Sequence, residues 1–246
     1  MKVLLVTSRV TFIPRNYDDL ITGLADCPQI GGLLVLDNRD FSLKTRAAKL
    51  ILCGAARLGW NLLKNQSSQS ARRRTAIYSA NGKPTWTLKT VNSPAVIDLV
   101  RQNGFDMLLN ARTRYIYKSA ILNAPRLGCM NIHHGLLPEQ RGVMCDLWAL
   151  HEKRAAGFSI HLMTENVDAG AIASRVKVDD GTENNYPAYL TKSSKRELIE
   201  VTRILAEIEK TDVIKTEPNS VSEDTTICRT PSFQEIRTMI RGGLRL

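Results

Sequence analysis

Histidine is scarce in this chain. Its 246 residues hold four, His133, His134, His151 and His161, so any imidazole chemistry comes from a short roster. Cysteine is used without pattern. Cys27, Cys53, Cys129, Cys145 and Cys228 are odd in number and widely spaced, with no CxxC pair, which argues against a disulfide framework and a zinc site and for free buried thiols in a reducing cytoplasm. No window approaches the roughly 18 apolar residues of a spanning helix. The amino-terminal MKVLLVTSRVTFIPR has one Lys and a short apolar run but no small-residue cleavage site, so it reads as a buried first strand and not a signal peptide. Acidic residues are scarce in one place. Between Arg39 and Arg74 nine positive residues face Asp40 alone, which accounts for eight of the net charge of +10. Such an excess marks an anionic partner or a solvated basic face.

What is present describes an ordinary globular chain, with 43% hydrophobic and 24% charged residues. Residues 2–7 (KVLLVT) and 31–36 (GGLLVL) are continuous apolar runs, the pattern of strands covered on both faces. Residues 17–25 read as a helix. The stretch 42–64 predicts one long helix, with an apolar face (Leu43, Ala47, Leu50, Ile51, Gly54, Leu58, Leu62) and a basic stripe that includes Trp60. Residues 65–74 read as a polar loop, and Asn81-Gly82 as the turn of a hairpin within 76–90. Ser93-Pro94 opens a helix to about Gln102. Strands are expected over 106–110, 127–131, 157–164 and 171–178, and helices over 119–123, 193–210 and 232–241. Alternating strands and helices through residue 131 indicate an α/β fold, Rossmann-like, with a mostly parallel twisted sheet flanked by helices. Residues 1–180 are expected to form the core, with a basic helical insertion at about 39–74, and 181–246 a small C-terminal helical extension.

The densest polar cluster is Asn131-Ile132-His133-His134-Gly135-Leu136-Leu137-Pro138, followed by Arg141-Gly142. It lies at the carboxyl end of an expected parallel strand, where open α/β sheets bind ligands. Residues two apart on a strand point the same way, so Asn131 and His133 face one pocket. An imidazole beside an amide suits acid–base work and oxyanion stabilisation. A second cluster, Glu165-Asn166-Val167-Asp168-Ala169-Gly170, brings a carboxylate that would set the charge and tautomer of His133 if the loops converge.

The stretch Asn131-Ile132-His133…Gly135-Leu136-Leu137-Pro138…Arg141-Gly142 resembles the signature loop of the folate-dependent formyltransferases. That family includes the glycinamide ribonucleotide, methionyl-tRNA and amino-sugar enzymes. Gly157-Phe158-Ser159-Ile160-His161 with Val167-Asp168-Ala169-Gly170-Ala171-Ile172 is similar to the family's second block, and Val91-Asn92-Ser93-Pro94 and 106–116 follow its order. The resemblance implies the formyltransferase fold, a catalytic trio of Asn131, His133 and Asp168, and 10-formyltetrahydrofolate as donor without a metal. It implies folate contacts from Arg114, Tyr115, Ile116 and Tyr117 and from Glu165, Val167 and Gly170. In that chemistry Asn131 and a protonated His133 would stabilise the oxyanion, with Asp168 beside the ring.

Two departures bear on the acceptor. His134 stands where the family often has Pro or Ala, and reads either as a phosphate contact or as an exposed loop residue. Glu139-Gln140 stands where an aromatic or basic residue is common. His161 reads as a structural strand residue, His151 as surface, and Trp148 as packing under the loop. Gly135, Trp148 and Gly157-Phe158 look closest to the amino-sugar branch, and the 66 residues after position 180 are few for a tRNA-binding barrel. The expected acceptor is therefore a small anionic amine such as a nucleotide-linked amino sugar, not nucleic acid. Hydrolysis of the formyl folate, or an idle core that binds an anionic membrane through 42–64 or nucleic acid through its basic segment, stands as the alternative. A homodimer is compatible with either.

Overall fold

From Val3 onward the first apolar run is buried, as a strand covered on both faces must be. In a computed structural model, which describes residues 1–10, 14–38, 41–52, 54–65, 69–113 and 115–246, this run is β1 (Val3–Ser8). There follow α1 (Pro14–Gly23) with a closing 3-10 turn, β2 (Ile30–Leu36), α2 (Phe41–Leu52), α3 (Ala56–Asn65), α4 (Gln69–Ala80) and β3 (Thr85–Leu88). Next come α5 (Pro94–Gln102), β4 (Met107–Ala111), α6 (Ser119–Leu122), β5 (Cys129–His133), β6 (Gln140–Gly142) and α7 (Cys145–His151). The chain continues through β7 (Ala156–Leu162), β8 (Ile172–Asp179), α8 (Tyr186–Thr211), β9 (Thr226–Cys228) and α9 (Phe233–Arg241).

Seven strands make one sheet in the order β3-β2-β1-β4-β5-β7-β8, and β6 pairs with β9 apart from it. The pairs from β3 to β5 are parallel, and β7 and β8 add on antiparallel. The α/β sheet flanked by helices thus matches the reading of the sequence. Alternate strand residues feed two cores. Val3, Leu5, Leu33, Met107, Leu109, Met130, Ile132, Phe158 and Ile160 pack with α1 and α8 residues such as Leu20, Val201 and Leu205. Leu4, Val6, Leu34, Leu108 and Cys129 pack with α5 and α6 through Val96, Val100 and Ile121. A third cluster joins α2, α3, α7 and α9 through Ala47, Leu50, Leu62, Leu147, Ile236 and Met239.

Two expectations fail for one physical reason. The helix expected over 42–64 is two helices, because Gly54 takes a left-handed conformation at φ +95°. The Ala55 N–H then reaches Leu50 O at 3.0 Å and the Gly54 N–H reaches Ile51 O at 3.2 Å, the bond pair of a Schellman motif. Asn81-Gly82 makes the same stop instead of a hairpin: Gly82 sits at φ +67°, and Lys83 and Gly82 N–H close on Tyr78 O and Ser79 O. The strand that follows, β3, is therefore parallel to β2. The long helix α8 also starts earlier than expected, at Tyr186, where the Asn185 side chain accepts from Ala188 N–H.

The expected loop at 65–74 is largely α4, and its last basic residue is no surface charge. The Arg74 side chain is fully buried, with Nε 2.8 Å from Asp18 Oδ1 of α1 and Nη1 donating to Ser8 O at 3.1 Å. Lys44, Lys49, Lys64, Arg72 and Arg73 are exposed, while Arg39 and the side chains of Arg46 and Arg57 lie outside the described residues. The apolar positions Ala47, Leu50 and Leu62 of the expected interfacial helix face the third cluster. Among the described residues no helix is long and apolar enough to cross a membrane.

Arg74→Ala strands the Asp18 carboxylate in the interior and is expected to lower the unfolding free energy by about 3–5 kcal/mol. Arg72→Ala and Arg73→Ala, which touch solvent, are expected within about 0.5 kcal/mol of wild type. Urea denaturation of the three variants measures both.

Candidate active site

Strand β5 reads Cys-Met-Asn-Ile-His. Met130 and Ile132 enter the core, so the pleat turns Asn131 and His133 to the opposite face. On β7, Phe158 and Ile160 do the same, leaving Ser159 and His161 beside them. Register then aligns three polar side chains laterally, since Asn110 of β4 pairs with Asn131 and Asn131 with His161.

Hydrogen bonds run along this row in one direction. Thr113 N–H donates to Asn110 Oδ1 at 3.1 Å, and Asn110 Nδ2 donates to Asn131 Oδ1 at 2.8 Å. Asn131 Nδ2 lies 3.1 Å from His161 Nε2, and His161 Nδ1 lies 2.7 Å from Leu162 O. A carbonyl only accepts, so Nδ1 carries the ring proton and Nε2 accepts from Asn131. One amide hydrogen of Asn131 remains without a partner among the described residues.

His133 is oriented from both sides. Its Nε2 donates to Gln140 O at 2.7 Å, and its Nδ1 lies 3.5 Å from Asp168 Oδ2. Burial pushes the ring below the ordinary histidine range, and His161 and His134 add to this, against Asp168 and the Gln140 carbonyl. Burial thus favours the uncharged ring, while Asp168 beside Nδ1 favours the charged one that the oxyanion reading invokes. Asp168 sits at φ +51°, a conformation that Asp tolerates better than most residues. Burial alone would raise its carboxyl. His161, His133 and the Gly142 N–H, which donates to Oδ2 at 2.9 Å, hold it below the usual carboxylate value. The structure therefore brings Asn131, His133 and Asp168 together, with His161 3.5 Å from Asp168 Oδ1.

The loop after β5 is pinned from inside. The Ser159 hydroxyl donates to Gly135 O at 2.8 Å and accepts from Leu137 N–H at 2.9 Å, and the Leu137–Pro138 bond is cis. Gln140, read as facing the acceptor, is buried and braces the loop through Leu136 N–H and Ala155 O. From outside, Asn219 donates its amide to Asp168 O at 2.9 Å and to Gly170 O at 2.8 Å, and its Oδ1 accepts from Arg141 Nη2 at 2.9 Å.

The residues expected to contact folate fall into three groups. Arg114 lies outside the described residues. Ile116 and Val167 are 66% and 59% exposed, and Glu165 is also exposed. The Tyr115 hydroxyl donates to Lys89 O, Gly170 is buried, and Tyr117 is only 2% exposed, within the core cluster that packs on α5 and α6. His134 is no exposed loop residue. It is held between Asp146 and Glu197. His151 is half-buried against Trp148, whose Nε1 donates to Arg229 O at 2.7 Å. Cys27, Cys129, Cys145 and Cys228 are free and buried, while Cys53 lies outside the described residues. Among the described residues no cluster of three His, Cys, Asp or Glu side chains is placed to hold a metal ion.

Residues 61–202, which include Asn110, Asn131, His133, His161 and Asp168 but not Asn219, match the family model described as formyl transferase. The chain belongs to the formyl transferase family. Curated relatives are methionyl-tRNA formyltransferases, 36% identical over 121 residues in Nitrobacter hamburgensis and 31% over 132 residues in Thermosynechococcus vestitus. These alignments cover 48% and 53% of this chain, and the chain spans only 38% and 39% of those relatives. Solved structures share the formyltransferase fold. A sugar N-formyltransferase from a Shewanella species superposes with a TM-score of 0.59 at 17% identity, over 98% of this chain and 88% of that one. A phosphoribosylglycinamide formyltransferase from Anaplasma phagocytophilum gives 0.60 at 16%, over 93% and 99%.

Three residues around this site are not singled out for it in the sequence: Asn110, His161 (which stands in a family-like block but reads as a structural strand residue) and Asn219. The first two need the strand register, and the third lies 51 residues beyond Asp168. Asn219→Ala is expected to free the Asp168 loop without unfolding the chain. Amide hydrogen exchange at Gly142 and over 168–171 should then accelerate about tenfold or more, with β1 and β4 unchanged.

Proposed function

We propose that this chain transfers the formyl group of 10-formyltetrahydrofolate to an amine of a small anionic acceptor such as a nucleotide-linked amino sugar. One observation carries the reading. Asn131, His133 and Asp168 converge: a spare amide N–H, an imidazole whose Nε2 is engaged by Gln140 O, and a carboxylate beside its Nδ1. Two of the expected folate contacts, Ile116 and Val167, expose apolar side chains, which suit the face of a flat heteroaromatic ring.

The folate supplies an activated formyl carbon on nitrogen. Asn131 turns its spare N–H to the formyl oxygen and stabilises the negative charge that develops there when the amine attacks. His133 takes the amine's proton on Nδ1, since Nε2 is engaged by Gln140. Asp168 stabilises the resulting imidazolium. His133 then returns the proton to the folate nitrogen as the carbon–nitrogen bond breaks, leaving tetrahydrofolate and the formylated acceptor. The sugar-type acceptor is favoured by the Gly135 version of the loop, with Trp148 and Gly157-Phe158.

Purified protein is expected to consume the formyl folate only when an acceptor amine is present. Consumption without acceptor would indicate a hydrolase, and no consumption with salt-sensitive binding to DNA or anionic vesicles would indicate an idle core. His133→Ala should lower kcat/KM by about 10²–10⁴-fold. Because the base form of His133 is required and its pKa is depressed, the acidic limb of the kcat/KM profile should fall below the ordinary histidine value of about 6.5.

A further inference from the structure

Strand β5 ends at His133, and His134 follows it at the start of the loop, on the other side. His133 enters the site, while His134 lies against α7 and α8. His134 Nδ1 is 2.9 Å from Asp146 Oδ2, and Nε2 is 3.0 Å from Glu197 Oε1. The two carboxylate side chains are 1% and 0% exposed. Both receive further donors. Asp146 Oδ1 accepts from Leu147 N–H at 2.8 Å and from the Tyr186 hydroxyl at 3.2 Å. Glu197 Oε1 accepts from Arg112 Nη2 at 2.6 Å and from the Ser193 hydroxyl at 2.7 Å.

Oxygens met only by donors are those of carboxylate anions. A neutral imidazole has one N–H, so one of its nitrogens would face a carboxylate lone pair to lone pair. It would also leave two buried anions against Arg112 alone. A second ring proton removes both conflicts, because two cations then balance two anions.

We infer that His134 is a permanently charged positioning residue: an imidazolium clamped between Asp146 and Glu197 that anchors the loop after β5 and keeps neighbouring His133 in its proton-accepting form. The catalytic half of this inference rests on the formyl-transfer reading, and the electrostatic half does not. Burial and Arg112 push the His134 ring down, but Glu197 and Asp146 outweigh them and leave it raised, while Glu197 is held at about 2. The ionisable groups around His134 are Asp146, Glu197, Arg112, Tyr186 and Tyr189. Those facing His133 are Asp168 and His161, with Cys145 and its partner Cys228 beside Asp168.

The test is a pH titration of the full chain by NMR of ring-¹⁵N histidine, assigned with His134→Gln and His133→Gln. Both His134 nitrogens should stay protonated well above the ordinary range of about pH 6.5. In His134→Gln the loss of a neighbouring positive charge should raise the His133 midpoint by about one pH unit, and the acidic limb of kcat/KM should move up with it. Glu197→Gln, which keeps the shape and removes one anion, should lower the His134 midpoint, and it serves alone if His134→Gln does not fold. A His134 ring that sheds one proton near pH 6.5, or an unmoved His133 midpoint in His134→Gln, overturns the inference. An inactive protein with both NMR shifts would instead defeat the formyl-transfer reading, and an active one without them would defeat only this inference.

Discussion

The site depends on a row of hydrogen bonds crossing three strands, from Asn110 to Asn131 to His161. The row exists because β4, β5 and β7 are in register at these residues, and because β7 returns antiparallel to β5. A shift of one residue in either pair would turn one member of the row into the core and leave its neighbour a buried polar group without a partner, at a cost of about 1–3 kcal/mol. Polar pairing therefore reinforces the same register as the apolar packing of Met130, Ile132, Phe158 and Ile160.

The row fixes what Asn131 can offer. Its oxygen and one amide hydrogen are committed, so the remaining hydrogen is the group free to act. The same logic sets the histidines. The Gln140 carbonyl assigns the Nε2 proton of His133, and the Leu162 carbonyl assigns the Nδ1 proton of His161. Asp168 lies on one side of β5 and the Arg112–Glu197–His134–Asp146 group on the other. The segment after α8 is part of this arrangement, since Asn219 ties the Asp168 loop to Arg141 and β9 pairs with β6.

Much of this was legible in the residues. The runs at 2–7 and 31–36 read as covered strands, and the Asn131–His133 spacing placed both on one face. The remainder needed three-dimensional information. Asn110 and His161 look like ordinary strand polars until register pairs them with Asn131. Asn81-Gly82 serves equally as a hairpin turn or a helix stop, and the hydrogen bonds to Tyr78 and Ser79 decide between them. Arg74 reads as the end of a basic loop because Asp18, its partner, is distant in sequence. Tyr117 has the residue type of a ligand contact but the burial of a core residue.

A double-mutant cycle tests the central claim most directly, that Asn110 acts on catalysis by orienting Asn131. Asn110→Ala, Asn131→Ala and the double variant would be compared by kcat for formyl transfer, after unfolding curves establish that each is folded. If Asn110 acts only by holding the Asn131 amide through its Nδ2 bond, the double variant should be no slower than Asn131→Ala alone. Losses that multiply, with Asn110→Ala slowing the Asn131→Ala enzyme as much as it slows wild type, would contradict the account.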